Sequence, residues 1–305
     1  MVIRPQQVKH FDNVVRARFE TDLVEYSRTV GLSVREFADD AAELQFVRSA
    51  VERAQSWGFA DRDSVQLVLE LMVRLGYAFD SDPQFAWAGE IVNAAPHDPE
   101  FIMATQLYNG MKDFLERVHG PDNTLLLDAC RRIASTPDDA FAVRSSDGKG
   151  ALMEMLRYFY PQRFDYTGER AFRHIMTKAV EDARQFGMSP RIGVPLFSSI
   201  TFLFGHGALA DPQYAWIAAS LSDDGIANPQ DRQARLLHSL KKRLSRAAAP
   251  ATLLTRWPIL HREMYLKAGS SNTTTMPSKF AQESNTASSR NRSLPRPPSA
   301  KIAEK

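Results

Sequence analysis

Apolar residues recur along this chain at helical spacing. Phe19, Leu23, Tyr26 and Val30 fall at i, i+4, i+7 and i+11, one face of a helix. A second helix is predicted over about 40–57, stopping at Gly58, where glycine takes a left-handed cap. A third begins after Asp61 or Asp63 and runs to Gly76. Val65, Leu67, Val68, Leu69, Leu71, Met72 and Leu75 make that third helix apolar nearly all round, the pattern of a buried central helix. Asp82 then suits an N-cap and Pro83 a first helical turn, and a last helix covers about 99–118. Strand signals are weak. The Asn109-Gly110 pair lacks alternating flanks and marks no hairpin.

The same pattern returns 129 residues later without a gap. Between 50–87 and 179–216, fourteen of 38 positions are identical, among them Gly58/Gly187, Gly76/Gly205, Asp82/Asp211, Pro83/Pro212, Gln84/Gln213 and Trp87/Trp216. The four glycines read as helix stops, and Pro212, like Pro83, as the first turn of a helix. A unit of about 95 residues is too long for a solenoid repeat and reads as a duplicated domain. The expected fold is all-α: two tandem, pseudo-symmetric helical bundles and a disordered basic tail. The expected divisions are 1–118 for the first bundle, 119–150 for a connecting helix (123–134) and linker, and 151–247 for the second bundle. A C-terminal helix, broken near Pro258, covers 248–267, and the tail covers 268–305. Two such bundles side by side would form a pseudo-symmetric cleft, a groove for a partner. The block from Asp82 to Trp87 and from Asp211 to Trp216 reads as cap chemistry followed by core aromatics.

Composition narrows this picture. The 305 residues are 44% hydrophobic and 24% charged, an ordinary globular mixture. No apolar run approaches the ~20 residues of a membrane span, and the charged start does not resemble a signal peptide, so a cytoplasmic protein is expected. A single cysteine, Cys130, excludes an internal disulfide. The net charge of +2 is unevenly spread. The tail 268–305 has six basic residues against two acidic ones, 231–267 nine against two, and 1–230 is left strongly acidic. An acidic body makes nucleic acid an unexpected partner. The tail is rich in Ser, Thr, Asn and Pro and too poor in apolar residues to offset its ordering entropy.

Candidate chemistry is sparse. Ser198, Ser199, His206 and Asp211 could be arranged as nucleophile, base and orienter, but no G-x-S-x-G elbow frames either serine and Ser198 lies within a helical pattern. The seven histidines form no metal-binding pair, and no glycine-rich phosphate loop occurs, so no metal and no cofactor are expected. Glu70, Asp80 and Asp82 read as a solvated acidic face.

The run Phe19, Ala54, Trp57-Gly58, Val65, Leu71-Met72, Gly76, Phe79-Asp80, Asp82-Pro83 and Trp87-Ala88 resembles small helical bacterial proteins of uncharacterised function. Those proteins are often encoded beside type VI secretion spike and effector genes. The resemblance covers about 8–118 and is weaker over 152–247, where Pro195 enters the central helix. It implies a context more than an activity and carries no catalytic residue over. Together with the duplication and the absent catalytic motif, it makes a non-enzymatic, protein-binding accessory role expected, as adaptor, chaperone or immunity protein toward a secreted effector or spike protein. The alternative is an effector or enzyme with a motif-free active site in the second copy. Recognition is expected where the copies differ beside the central helix: Glu70 against Ser199, Tyr77 against His206, and Asp80 against Leu209.

Overall fold

The computed structural model describes residues 5–31, 34–94, 99–143, 146–222 and 228–249. The C-terminal helix and tail expected after 249 lie outside the described residues. Among the described residues there are eleven α-helices and no strand. They are α1 (Pro5–Val30), α2 (Asp40–Ser56), α3 (Arg62–Leu75), α4 (Ala86–Ala94), α5 (Glu100–Phe114) and α6 (Thr124–Ser135). There follow α7 (Gly148–Phe159), α8 (Pro161–Gln185), α9 (Pro190–Phe204), α10 (Ala215–Leu221) and α11 (Pro229–Ala247).

The helix boundaries keep the sequence offset. The ends of α1, α2 and α3 at Val30, Ser56 and Leu75 recur at Phe159, Gln185 and Phe204, and the starts of α4 and α5 at Ala86 and Glu100 recur at Ala215 and Pro229. Local causes set many of these limits. Asp39 caps α2 by accepting from Ala42 N, and Gly58 leaves it with φ of 85°. Gly187 leaves α8 in the same way, with φ of 65°. It is exposed, and a Cβ there would meet only the Pro229 ring, at 3.5 Å, so the backbone angle alone calls for glycine. Gly168, at the offset from Asp39, kinks α8 with φ of 74°. The helix expected over 99–118 stays α-helical only to Phe114 and finishes in a π turn, Leu115–His119. Pro195 sits inside α9 and has no N–H to give, so the Arg191 carbonyl accepts instead from Val143 N at 3.1 Å. That bond ties the segment between α6 and α7 onto the second central helix.

Pro212 departs from its expected place. Pro83 opens a 3-10 turn, Pro83–Phe85, that runs straight into α4. Pro212 instead lies in a non-helical turn, and α10 begins only at Ala215. The cause is the chain ahead of α2. Glu36 N donates to Gln213 O at 2.7 Å, and Ala215 N donates to Glu36 O at 3.1 Å, forming an isolated bridge at Tyr214. Those bonds draw Tyr214 out to φ of −123°, away from helical geometry.

α2 packs along α3 and α8 along α9, while α1 lies across α2 and α3. The halves are not separate bodies. α6, from the connecting region, packs on α11, and α8 reaches the Pro83–Phe85 turn and the π turn of the first half. Buried residues from both halves form one contiguous apolar core. The space between the halves, expected as a cleft, is filled where they meet at the ends of α3 and α9.

Candidate functional site

The repeated Asp-Pro-Gln block sits at that meeting point, and its chemistry begins with a turn. α3 ends at Gly76 with φ of 106° and α9 at Gly205 with φ of 90°, a region that favours glycine. The chain then descends through short turns to Asp82 and Asp211. Asp82 Oδ1 accepts from Gln84 N at 2.9 Å, and Asp211 Oδ1 accepts from Gln213 N at 3.0 Å. These are the local caps that the sequence implies, and the one on Asp211 survives although no helical turn follows Pro212.

The remaining groups cross to the other half. Asp82 Oδ2 accepts from His206 N at 2.7 Å, and Asp211 Oδ2 accepts from Tyr77 N at 2.9 Å. Gln84 Nε2 donates to Thr201 O and Gln213 Nε2 to Met72 O, each at 2.9 Å. Each half thus supplies an acceptor for the N–H just past the other's central helix and a donor for a carbonyl in its last turn. The two glycines face each other. A Cβ on Gly76 would stand 2.5 Å from Phe204 O, and one on Gly205 would stand 3.2 Å from Leu75 O. Positive φ and close approach both require glycine here.

Water is excluded from this lock. Asp82, Gln84, Asp211 and Gln213 are all buried. Burial pushes the Asp211 carboxyl up to about 6, against the pull of its Tyr77 and Gln213 donors and of Arg35. Arg163 is buried on the other side, with Nη2 3.4 Å from Gln84 Oε1 and its guanidinium over the Phe85, Phe114 and Phe202 rings at 5.6, 5.4 and 5.7 Å. Burial lowers its pKa, while Tyr160 and Asp82 favour its charge.

The expected recognition residues divide. Glu70 and Ser199 are fully buried at 0% exposure, so neither is open to a partner. Glu70 accepts from Tyr26 Oη and from Arg74 Nε, both at 2.6 Å, and Ser199 Oγ donates to Pro195 O at 2.8 Å. The expected solvated acidic face is therefore corrected: Glu70 and Asp82 are interior acceptors, and Asp80 pairs with Arg53 at 3.5 Å. Tyr77, Asp80 and His206 remain at the junction. The Arg53 guanidinium covers the Tyr77 ring at 4.8 Å.

His206 meets two groups that sequence reading missed. Its Nε2 lies 3.1 Å from Ser81 Oγ and its Nδ1 3.2 Å from His174 Nε2. Ser81 and His174 are unmatched in the repeat, so nothing in the sequence marks them. Gln84 and Gln213 were marked by identity, but their cross-half role was not. Ser198 lies sealed within α9, and the Cys130 thiol is buried and pushed up to about 12. Among the described residues, no group of three or more His, Cys, Asp or Glu could hold a metal ion, and no helix is long and apolar enough to cross a membrane. Comparison with protein families, curated proteins and solved structures finds no match.

Proposed function

We propose that this chain is a protein-binding accessory factor of a bacterial type VI secretion or effector locus, with an adaptor, chaperone or immunity role toward a secreted effector or spike protein. The observation that supports it is the inward orientation of the repeated block. Asp82, Gln84, Asp211 and Gln213 use their hydrogen bonds to hold two halves together, which suits a scaffold built by tandem duplication. The resemblance over 8–118 supplies the context. With the junction filled, recognition falls to outer faces, where Phe101 and Ile102 stand exposed at the start of α5 and Tyr158 at the end of α7. An active site confined to the second copy has less support, because its candidate serines are sealed in α9.

The test is co-expression with each spike and effector protein encoded beside the gene. One of them should co-purify, and Phe101→Asp or Tyr158→Asp should weaken the complex at unchanged melting temperature. If none binds the intact chain at micromolar concentration, the accessory reading fails.

A further inference from the structure

The lock is two-fold in its backbone but not in one set of side chains. Ser81 of the first half, exposed after the turn that follows α3, faces His206 of the second half, and His206 faces His174 on α8. The positions related to these by the repeat hold Ala210, Tyr77 and Gln45, which share none of this chemistry. A hydroxyl–imidazole–imidazole chain thus forms on one side of the lock and not at the positions the repeat relates to it, and it spans both halves.

We propose that Ser81 is an activated nucleophile, with His206 as its general base and His174 as the residue that positions His206, and that the site takes small activated esters. The separations of 3.1 and 3.2 Å are those of a nucleophile–base and a base–orienter hydrogen bond. The order of groups is that of a hydroxyl, an imidazole and an imidazole acceptor, a variant of the serine–histidine–carboxylate arrangement. In the tautomer this requires, His206 Nδ1–H donates to His174 Nε2, and the His206 Nε2 lone pair faces the serine. The Ser81 hydroxyl proton has two acceptors, Ala78 O at 3.1 Å and His206 Nε2. Rotation toward the histidine releases only an exposed bond.

The surroundings keep His206 available as a base. Its own backbone N–H is fixed on Asp82, so the ring is carried by the buried lock rather than by a loose loop. Burial lowers its pKa, as do His174 and Lys178, against Asp82 and Asp80, and so favours the neutral, proton-accepting ring.

The reaction balances without a cofactor. Ser81 Oγ forms a bond to the ester carbonyl carbon while its proton passes to His206 Nε2. The ester C–O bond breaks, and the alcohol leaves with that proton. Water then attacks the acyl-serine, giving one proton to His206, which returns it to Ser81 Oγ as the carboxylic acid departs. This activity is independent of the accessory reading, since a partner-binding surface elsewhere leaves it intact.

The test uses the full chain and a fluorophosphonate probe, read by intact mass and peptide mapping. Three variants copy residues the other half already carries, which protects the fold: Ser81→Ala, His206→Tyr and His174→Gln. The expected result is one adduct per chain, on Ser81, absent in Ser81→Ala. Labelling by the intact chain should rise with pH as the base loses its proton and then level, with the midpoint below that of an ordinary histidine. His206→Tyr should slow it by about 100-fold or more, the usual worth of a general base. His174→Gln should move that midpoint, because the titratable ring that faces His206 Nδ1 is gone; a profile left in place would mean that His174 is merely structural. No adduct on the intact chain, or an equal adduct on Ser81→Ala, overturns the proposal, as does a His206→Tyr variant that melts normally and labels at the original rate.

Discussion

His119 closes the π turn after α5 and is almost completely buried, its ring edge against Phe114 at a centroid distance of 5.3 Å. Burial, with Arg163 and Arg74 nearby, pushes its pKa down to about 3. The unfolded chain, with an ordinary histidine pKa near 6.5, then binds the extra proton first. Stability should fall as pH drops from about 6.5 toward 3, with a slope of up to ~1.4 kcal/mol per pH unit. Urea unfolding midpoints between pH 7 and 4 would show it, and His119→Leu should flatten the curve. Asp211 works in the other direction. Its folded pKa of about 6 lies above the ordinary 3.8, so its contribution is full below 3.8 and is lost as pH rises through 6. Neither titration was legible in the sequence, because burial at these positions is set by distant chain. The same reason misplaced Glu70: Arg74 at i+4 was visible, but Tyr26, 44 residues away, supplies the second donor that lets a carboxylate sit inside.

At the scale of helices, most boundaries were legible, since capping residues and glycines act locally. α2, α3 and α6 fall within a residue or two of their expected limits, and Gly58 and Gly187 end their helices as equals. The turn at Pro212 and the π turn were not legible, because tertiary contacts hold them. Proline at 212 is compatible with a first helical turn, but the bonds that Glu36 makes to Gln213 and Ala215 come from 177 to 179 residues away in sequence. The paired tryptophans also show where the repeat stops predicting equal roles. Trp216 is buried, under Arg243 at 4.8 Å and edge-on to Phe204 at 6.2 Å. Trp87 is half-buried and lies on Gly110, where a Cβ would come within 2.4 Å of its ring. Trp216→Ala should cost about 3–5 kcal/mol. Trp87→Ala should cost about 2 kcal/mol, since less of its surface leaves water. Gly110→Ala should cost about 1–3 kcal/mol by overpacking against Trp87. Denaturant unfolding of the three variants ranks them, and equal losses at the two tryptophans would contradict the burial difference.

For the molecule as a whole, the shared core and the crossed hydrogen bonds predict cooperative behaviour. Heating should give one transition, with calorimetric and van't Hoff enthalpies equal. Residues 1–120 expressed alone should lack a cooperative transition, because Tyr77 N and Met72 O would lose their Asp211 and Gln213 partners. Asp82→Ala and Asp211→Ala should each cost about 1–3 kcal/mol through unmet buried donors. Two separate transitions would show that the halves are independent. The all-helical class was plain in the sequence, and the residues shared by 50–87 and 179–216 marked which turns to compare. The exchange of caps between halves was not, because one chain's pattern pairs each aspartate with its own helix and carries no sign of which neighbour its second oxygen meets.

A two-fold lock carried by a single polypeptide has an evolutionary freedom that a lock between identical subunits lacks. Between identical subunits every substitution arrives twice, so a group that helps on one side must be tolerated on the other. Here a change enters once. The backbone hydrogen bond to Asp211 is made by a tyrosine and its counterpart to Asp82 by a histidine, and neither alters the bond, which uses only the main chain. One side of the lock can therefore hold the joint at constant strength while the other explores new side chains, so stability and novelty are drawn from different sides of one joint.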